Sequence, residues 1–215
     1  MAEGTRIKLP RNALAKLVAG DPELGAVITR VPFAMTHGSS DNHLAALVRS
    51  IVFQQLSGKA ATTIYNRFRA LFVAEQFPSA ETILAMHHRR IRGAGISKQK
   101  QAAIRDLCKH VRDGRLPLDD LAPLPDDELT ARIVAVRGLG VWSAQMFMMF
   151  HLGRLDVWPV DDLGIRKGMA KIRGLAELPG RKQMLAMGER YKPYRSIAAW
   201  YLWRATELPA ENRQG

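Results

Sequence analysis

The sequence predicts an all-α chain. Three observations carry that expectation. No stretch shows the period-2 alternation of a half-buried strand between turn clusters. Residues that cap helices recur just ahead of apolar runs. Within those runs the apolar positions follow the spacing of one buried helical face. About ten short helices are expected, with little or no sheet. A chain of 215 residues that is 47% apolar has ample material for a packed core.

Taken in order, the start Met1-Ala2-Glu3-Gly4-Thr5-Arg6 lacks the apolar stretch of a signal peptide. Asp21-Pro22 places a capping carboxylate before a proline at the first helical position. Asp41 precedes Leu44, Leu47, Val48, Ile51 and Val52, which share one face. Ser57, Ser79 and Ser97 each sit where a following helix can start. Leu116 to Pro125 holds three of the eleven prolines, Asp119 and Asp120, and no base, so it reads as a surface connection. Asp126 precedes Leu129, Ile133 and Val136 with helical spacing. Residues 210–215 are polar and read as a frayed tail.

Composition bounds the chemistry. The formal net charge is +12, which suits a polyanionic partner. Residues 86–115 carry nine Lys/Arg against two Asp, a candidate phosphate-facing surface or a solvated helix face. One cysteine forms no internal disulfide, iron–sulfur cluster or Cys-based zinc site. The longest oily run, Met146-Phe147-Met148-Met149-Phe150, is far too short to span a bilayer, so a soluble protein of a reducing compartment and no membrane partner are expected. His37, His43, His87, His88, His110 and His151 show no metal-ligand spacing with carboxylates. On a helix the neighbours His87 and His88 would point apart.

Two segments stand out. In Val134-Ala135-Val136-Arg137-Gly138-Leu139-Gly140-Val141-Trp142-Ser143-Ala144 a helix runs into Gly-Leu-Gly and a second helix follows at once. The glycines let the chain reverse and leave N–H groups unobstructed at a helix start, where an anion can bind. Leu139 can plug the gap between the helices. The same pattern also suits a plain αα-hairpin with glycine caps. In Val157-Trp158-Pro159-Val160-Asp161-Asp162-Leu163-Gly164 either aspartate can cap the helix that follows, and a capping carboxylate can still face a ligand.

Together these segments resemble the helix-hairpin-helix superfamily of DNA glycosylases. Three further blocks extend the likeness. Ile51-Val52-Phe53-Gln54-Gln55-Leu56-Ser57-Gly58-Lys59-Ala60-Ala61 is similar to the family's helix and loop at the lesion. Gly95-Ile96-Ser97-Lys98-Gln99-Lys100 resembles its Gly-x-Ser-x-x-Lys turn. Lys192-Pro193-Tyr194-Arg195-Ser196, leading into Trp200, Tyr201 and Trp203, resembles its closing helix. The five blocks in order point to the DNA-3-methyladenine glycosylase II subgroup, which repairs alkylated bases.

The resemblance implies two helical lobes with an active-site cleft between them: residues 1–42 with 160–215 in one lobe, residues 43–159 in the other, and the hairpin at 134–142. The sheet-like N-terminal domain of some members has no room ahead of the first block. It assigns catalysis to Asp162 and leaves Asp161 as a structural cap. It implies a monofunctional enzyme, because Trp142 stands where bifunctional members carry a nucleophilic lysine. Trp142, Trp203, Met146 and Phe33 are the expected pocket for the flipped base, with Met146 departing from a tyrosine used by one relative. Tyr191, Trp200 and Tyr201 are less definite, the last two reading rather as core. Gln55 or Gln54 is the expected wedge in the vacated stack, or a mere cap of the helix end. Phosphate contacts are expected from Gly138, Leu139, Gly140 and Trp142, aided by Lys98 and Lys100. No catalytic cofactor is expected; a structural Na+ or K+ could sit on the carbonyls of Val134, Val136 and Leu139. The implied partner is double-stranded DNA containing alkylated bases, met by a monomer in the cytoplasm of a bacterium, at the nucleoid, or in a nucleus. The rival readings are a non-catalytic helix-hairpin-helix DNA-binding protein and a glycosylase for other damaged bases.

Overall fold

The computed structural model describes residues 5–38, 42–72, 76–121 and 123–209. Among them are twelve α-helices, two 3-10 turns and one two-residue antiparallel ladder. That ladder pairs β1 (Thr5–Arg6) with β2 (Thr36–His37) in the register Thr5 to His37 and Arg6 to Thr36. It is too short for alternation to show in a sequence.

The chain divides into two units. The first begins with β1, α1 (Ala13–Gly20), α2 (Pro22–Arg30) and β2. Asp21 caps α2 as expected, its Oδ1 accepting the Leu24 N–H at 3.0 Å. The carboxylate is fully buried, and Oδ2 meets both the Arg173 guanidinium and the Tyr191 hydroxyl. A buried carboxylate needs such partners. Burial, with Asp21 alongside, pushes the Tyr191 hydroxyl above the usual tyrosine range.

The second unit, residues 38–152, carries α3 (His43–Phe53), α4 (Gly58–Arg69), α5 (Ala80–Ala85), α6 (His88–Gly93), α7 (Lys98–Arg112), a 3-10 turn at Leu118–Asp120, α8 (Asp126–Val134) and α9 (Val141–Phe150). The face foreseen for α3 is buried: Leu44, Leu47, Val48, Ile51 and Val52. Its cap is Asn42, whose side chain accepts from Ala45 N–H, while Asp41 lies outside the described residues. Ser57, Ser79 and Ser97 cap α4, α5 and α7. Asp126 is the first residue of α8 rather than its cap; Pro125 takes the cap position and supplies no side-chain bond. The carboxylates of Asp126, Asp127 and Glu128 instead favour that helix through its dipole. His87 and His88 do not point apart. His87 precedes α6, its Nδ1 accepts the Arg89 N–H, and the two rings lie 4.3 Å apart.

The chain then returns to the first unit with α10 (Leu163–Arg173), α11 (Arg181–Gly188) and α12 (Arg195–Glu207). The divide falls after residues 37 and 152, not after 42 and 159. Gly38 N–H donates to Phe150 O within the second unit. Residues 153–160 are held to α12: Asp156 takes the Arg195 guanidinium on both oxygens at 2.9 Å, and Val157 N–H donates to Ser196 Oγ. Cys108 is free and buried, and burial pushes its thiol up to about 12, so it stays protonated and inert. Among the described residues no helix is long and apolar enough to cross a membrane.

Candidate active site

In the first unit the central group is Asp162. It caps α10, and Oδ1 accepts the Ile165 N–H at 2.9 Å. The same oxygen accepts the Trp203 indole N–H at 2.8 Å, a contact between residues 41 positions apart. The carboxylate is half-buried, neither sunk in apolar core nor fully solvated. It sits at the N-terminal end of α10, where the helix dipole is positive. Gly164 makes the indole contact possible. A Cβ there would lie 2.5 Å from Trp203 Cδ1 and 2.7 Å from Nε1, a collision with the ring itself.

Asp161 is not the cap. It is exposed and its carboxylate pairs with the exposed Arg181 at the start of α11. Two adjacent carboxylates thus have separate tasks, one turned onto the α10 N-terminus and one onto a solvent-side arginine. Phe33, expected in the pocket, is half-buried and meets the Trp200 ring edge-on at 5.2 Å and Tyr201 at 6.0 Å. Trp200, Tyr201 and Tyr191 are core residues, with at most 9% of their surface exposed.

In the second unit the hairpin forms between α8 and α9. Gly138 adopts φ +80°, where an L side chain is strained, and an added Cβ would lie 3.1 Å from Ala103 Cβ. Leu139 is the expected plug, 4% exposed. Gly140 precedes α9 with extended backbone, and nothing lies within 4 Å of where its Cβ would be, so the approach to the helix start is open. The Arg137 N–H donates to Asp106 Oδ2 at 2.8 Å, which anchors the turn on α7. Trp142, on the first turn of α9, is 47% exposed, an unusual placement for an indole. Met146, one turn on, is half-buried.

The two glutamines separate. Gln54 Nε2 donates to Gly138 O at 2.8 Å, so its amide is engaged within the protein. Gln55 is exposed and stands at φ +55°, alone in that region among the described non-glycine residues. Lys98 is exposed, as expected for a phosphate contact. Lys100, expected to aid phosphate binding, is turned inward instead. Its ammonium donates to Val52 O at 2.8 Å and Gln54 O at 2.7 Å, closing the C-terminus of α3. Burial lowers its pKa.

The hairpin carbonyls fit a hard monovalent cation by their chemistry, since neutral oxygens at the end of α8 lack intrahelical donors. Val136 O accepts the Leu139 N–H at 3.1 Å and keeps a second lone pair. Among the described residues no cluster of His, Cys, Asp and Glu could hold a metal ion. The pair His43 and His151, with ring nitrogens 2.7 Å apart, escaped the sequence reading because 108 positions separate them.

Comparison with known proteins shows the family and the fold. The model of the family described as HhH-GPD superfamily base excision DNA repair protein matches residues 48–193. The chain is 36% identical over 163 residues to DNA-3-methyladenine glycosylase 1 of Schizosaccharomyces pombe, covering 75% of this chain and 72% of that one. The structure of the S. pombe 3-methyladenine DNA glycosylase in complex with abasic DNA superposes with a TM-score of 0.82 at 29% identity, covering 94% of this chain and all of that one. A DNA-3-methyladenine glycosidase from Bacillus halodurans gives 0.81 at 36% identity, covering 93% and 90%. The chain belongs to the HhH-GPD superfamily of base excision DNA repair proteins.

Proposed function

We propose that this chain is a DNA glycosylase that excises alkylated, cationic bases such as 3-methyladenine and leaves an abasic site. The observation that carries the reading is the Asp162 carboxylate, held by two N–H donors at the start of α10. Relatives named for that activity support it.

Alkylation at a ring nitrogen makes the base cationic. When the C1′–N bond breaks, the electron pair returns to the base, which leaves neutral and needs no acid. Positive charge passes to the sugar as an oxocarbenium-like centre. A fixed carboxylate stabilises that charge and takes the proton of the water that attacks C1′. Trp142 offers an exposed indole face on which a cationic base can stack, worth ~0.5–2 kcal/mol. The target must leave the duplex first, and Gln55, exposed at the tip after α3, fills the gap in this reading. The hairpin N–H groups of Gly138, Gly140 and Trp142 take a backbone phosphate, Lys98 assists, and Na+ or K+ on the carbonyls of Val134, Val136 and Leu139 would add charge there.

Duplexes carrying single defined lesions, incubated with the protein and then cleaved with alkali, test the reading. Strand breaks are expected at alkylated purines only after alkali. With Trp142 in place of a lysine, borohydride is expected to trap no protein–DNA adduct; a trapped adduct would contradict hydrolysis by water.

Trp203→Phe keeps an aromatic ring, though a smaller one, and removes the N–H that holds Asp162. Loss of a hydrogen bond to a charged acceptor predicts a single-turnover rate about 10-fold lower, with affinity for abasic duplex little changed. An unchanged rate would show that the indole N–H does not hold the carboxylate for reaction.

A further inference from the structure

The turn after α3 and the hairpin turn are distant in sequence and joined in the second unit. Gln54 and Gly138 are 84 positions apart, yet the Gln54 amide donates to the Gly138 carbonyl at 2.8 Å. Lys100, in the first turn of α7, donates to the carbonyls of Val52 and Gln54, the last turn of α3 and its cap. The hairpin is tied to the same helix α7 through Arg137 N–H and Asp106, and Gly138 lies against Ala103. Three elements therefore share one polar brace: the α3 end, the hairpin turn and α7.

Between the two bonds of this brace and the cap of α4 stand Gln55 and Leu56. Gln55 is left-handed at φ +55°, and Leu56 is 39% exposed. A glutamine holds that backbone conformation only where its surroundings impose it. Both flanks are imposed here. Gln54 is held on its carbonyl by Lys100 and on its side chain by Gly138, and Ser57 caps α4 through Ala60 N–H. Lys100 is half-buried, and a buried ammonium is retained where its donors are used.

Resting on the glycosylase reading, we infer that Gln54 and Lys100 are positioning residues. They fix the Gln55–Leu56 tip in register with the glycine turn that grips the strand. Ordering the tip before DNA arrives removes that cost from the flipping step. Neither side chain touches the reacting atoms. Their effect falls on extrusion of a base from a duplex, where a partner base and a stack must be given up. It does not fall on bond cleavage once the base is out.

The test compares one alkylated base in duplex and in single strand under single-turnover conditions, for wild type, Gln54→Ala, Lys100→Met and Lys100→Arg. The ratio of duplex to single-strand excision rate is expected to fall about 10- to 100-fold in Gln54→Ala and Lys100→Met, the scale of a misplaced group remote from the chemistry. Lys100→Arg keeps charged donors and is expected to restore most of the ratio. Where Lys100→Met fails to fold, Gln54→Ala decides, because its side chain lies at the surface end of the brace. Equal losses on both substrates, or an unchanged ratio, would overturn the positioning role. Failure of the wild-type protein to release the base from either substrate would overturn the glycosylase reading itself.

Discussion

Asp162→Asn is expected to fold, to bind abasic duplex as wild type does, and to lose about 10³-fold in single-turnover excision, the scale on which charge stabilisation and general-base catalysis act. The variant keeps the structural duty of this side chain and removes the proposed catalytic one. As a cap, Oδ1 accepts Ile165 N–H and Trp203 Nε1–H, and an asparagine oxygen can accept both. Asn is about as good a cap as Asp, so only the charge–dipole part of the stability, ~0.3–1 kcal/mol, is at risk. As a catalyst the group must carry negative charge opposite a developing cation, and an amide carries none. Excision near the wild-type rate would remove Asp162 from the mechanism. Asp161→Asn, which breaks an exposed pair with Arg181, has no such route to the reaction.

Gly168→Ala is the second large effect, and it acts on stability. Ala normally improves a helix interior by about 1 kcal/mol over Gly. Here α10 and α12 approach so closely that a Cβ at position 168 would lie 2.0 Å from the Leu202 carbonyl oxygen and 2.6 Å from its carbon. Those are backbone atoms and cannot rotate aside. The helices must separate, and overpacking of this kind costs about 3 kcal/mol or more. For a chain of this length that lowers Tm by about 6–12 °C. The same crossing sets Asp162 at the head of α10 against Trp203 on α12, so activity is expected to fall along with Tm. A melting curve followed by circular dichroism checks it; an unchanged or raised Tm would show that the helices have room to spare.

How much of this was legible in the sequence follows from the range of each interaction. Local signals read well. Asp21-Pro22, the three serine caps, the α3 face and the glycine turn act within a few residues, so residue type and spacing display them. The Asp162 capping bond also spans only three positions, yet residue type alone leaves either aspartate as the cap, and it was the family resemblance that singled out Asp162. What orients it is not legible locally, because Trp203 and the space left by Gly164 meet only when α10 and α12 cross. The adjacent pairs were the hardest. Asp161 and Asp162 have identical chemistry and differ by which partner the backbone aims them at. Gln54 and Gln55 differ in the sign of φ and in the bond from Gln54 to Gly138, 84 positions away. Lys100 misled for a definite reason. A lysine in a basic run reads as a phosphate ligand, and nothing local reveals that its ammonium closes a helix end some fifty positions back.

The central claim is that one carboxylate at a helix start drives release of a damaged base. Chromatography of the bases set free from N-methylated DNA, by wild type and Asp162→Asn side by side, tests it most directly. Methylated purines released by the wild type, one for each alkali-labile site, and almost none released by the variant, are the predicted result. No methylated base from the wild type, or equal release by both proteins, would contradict it.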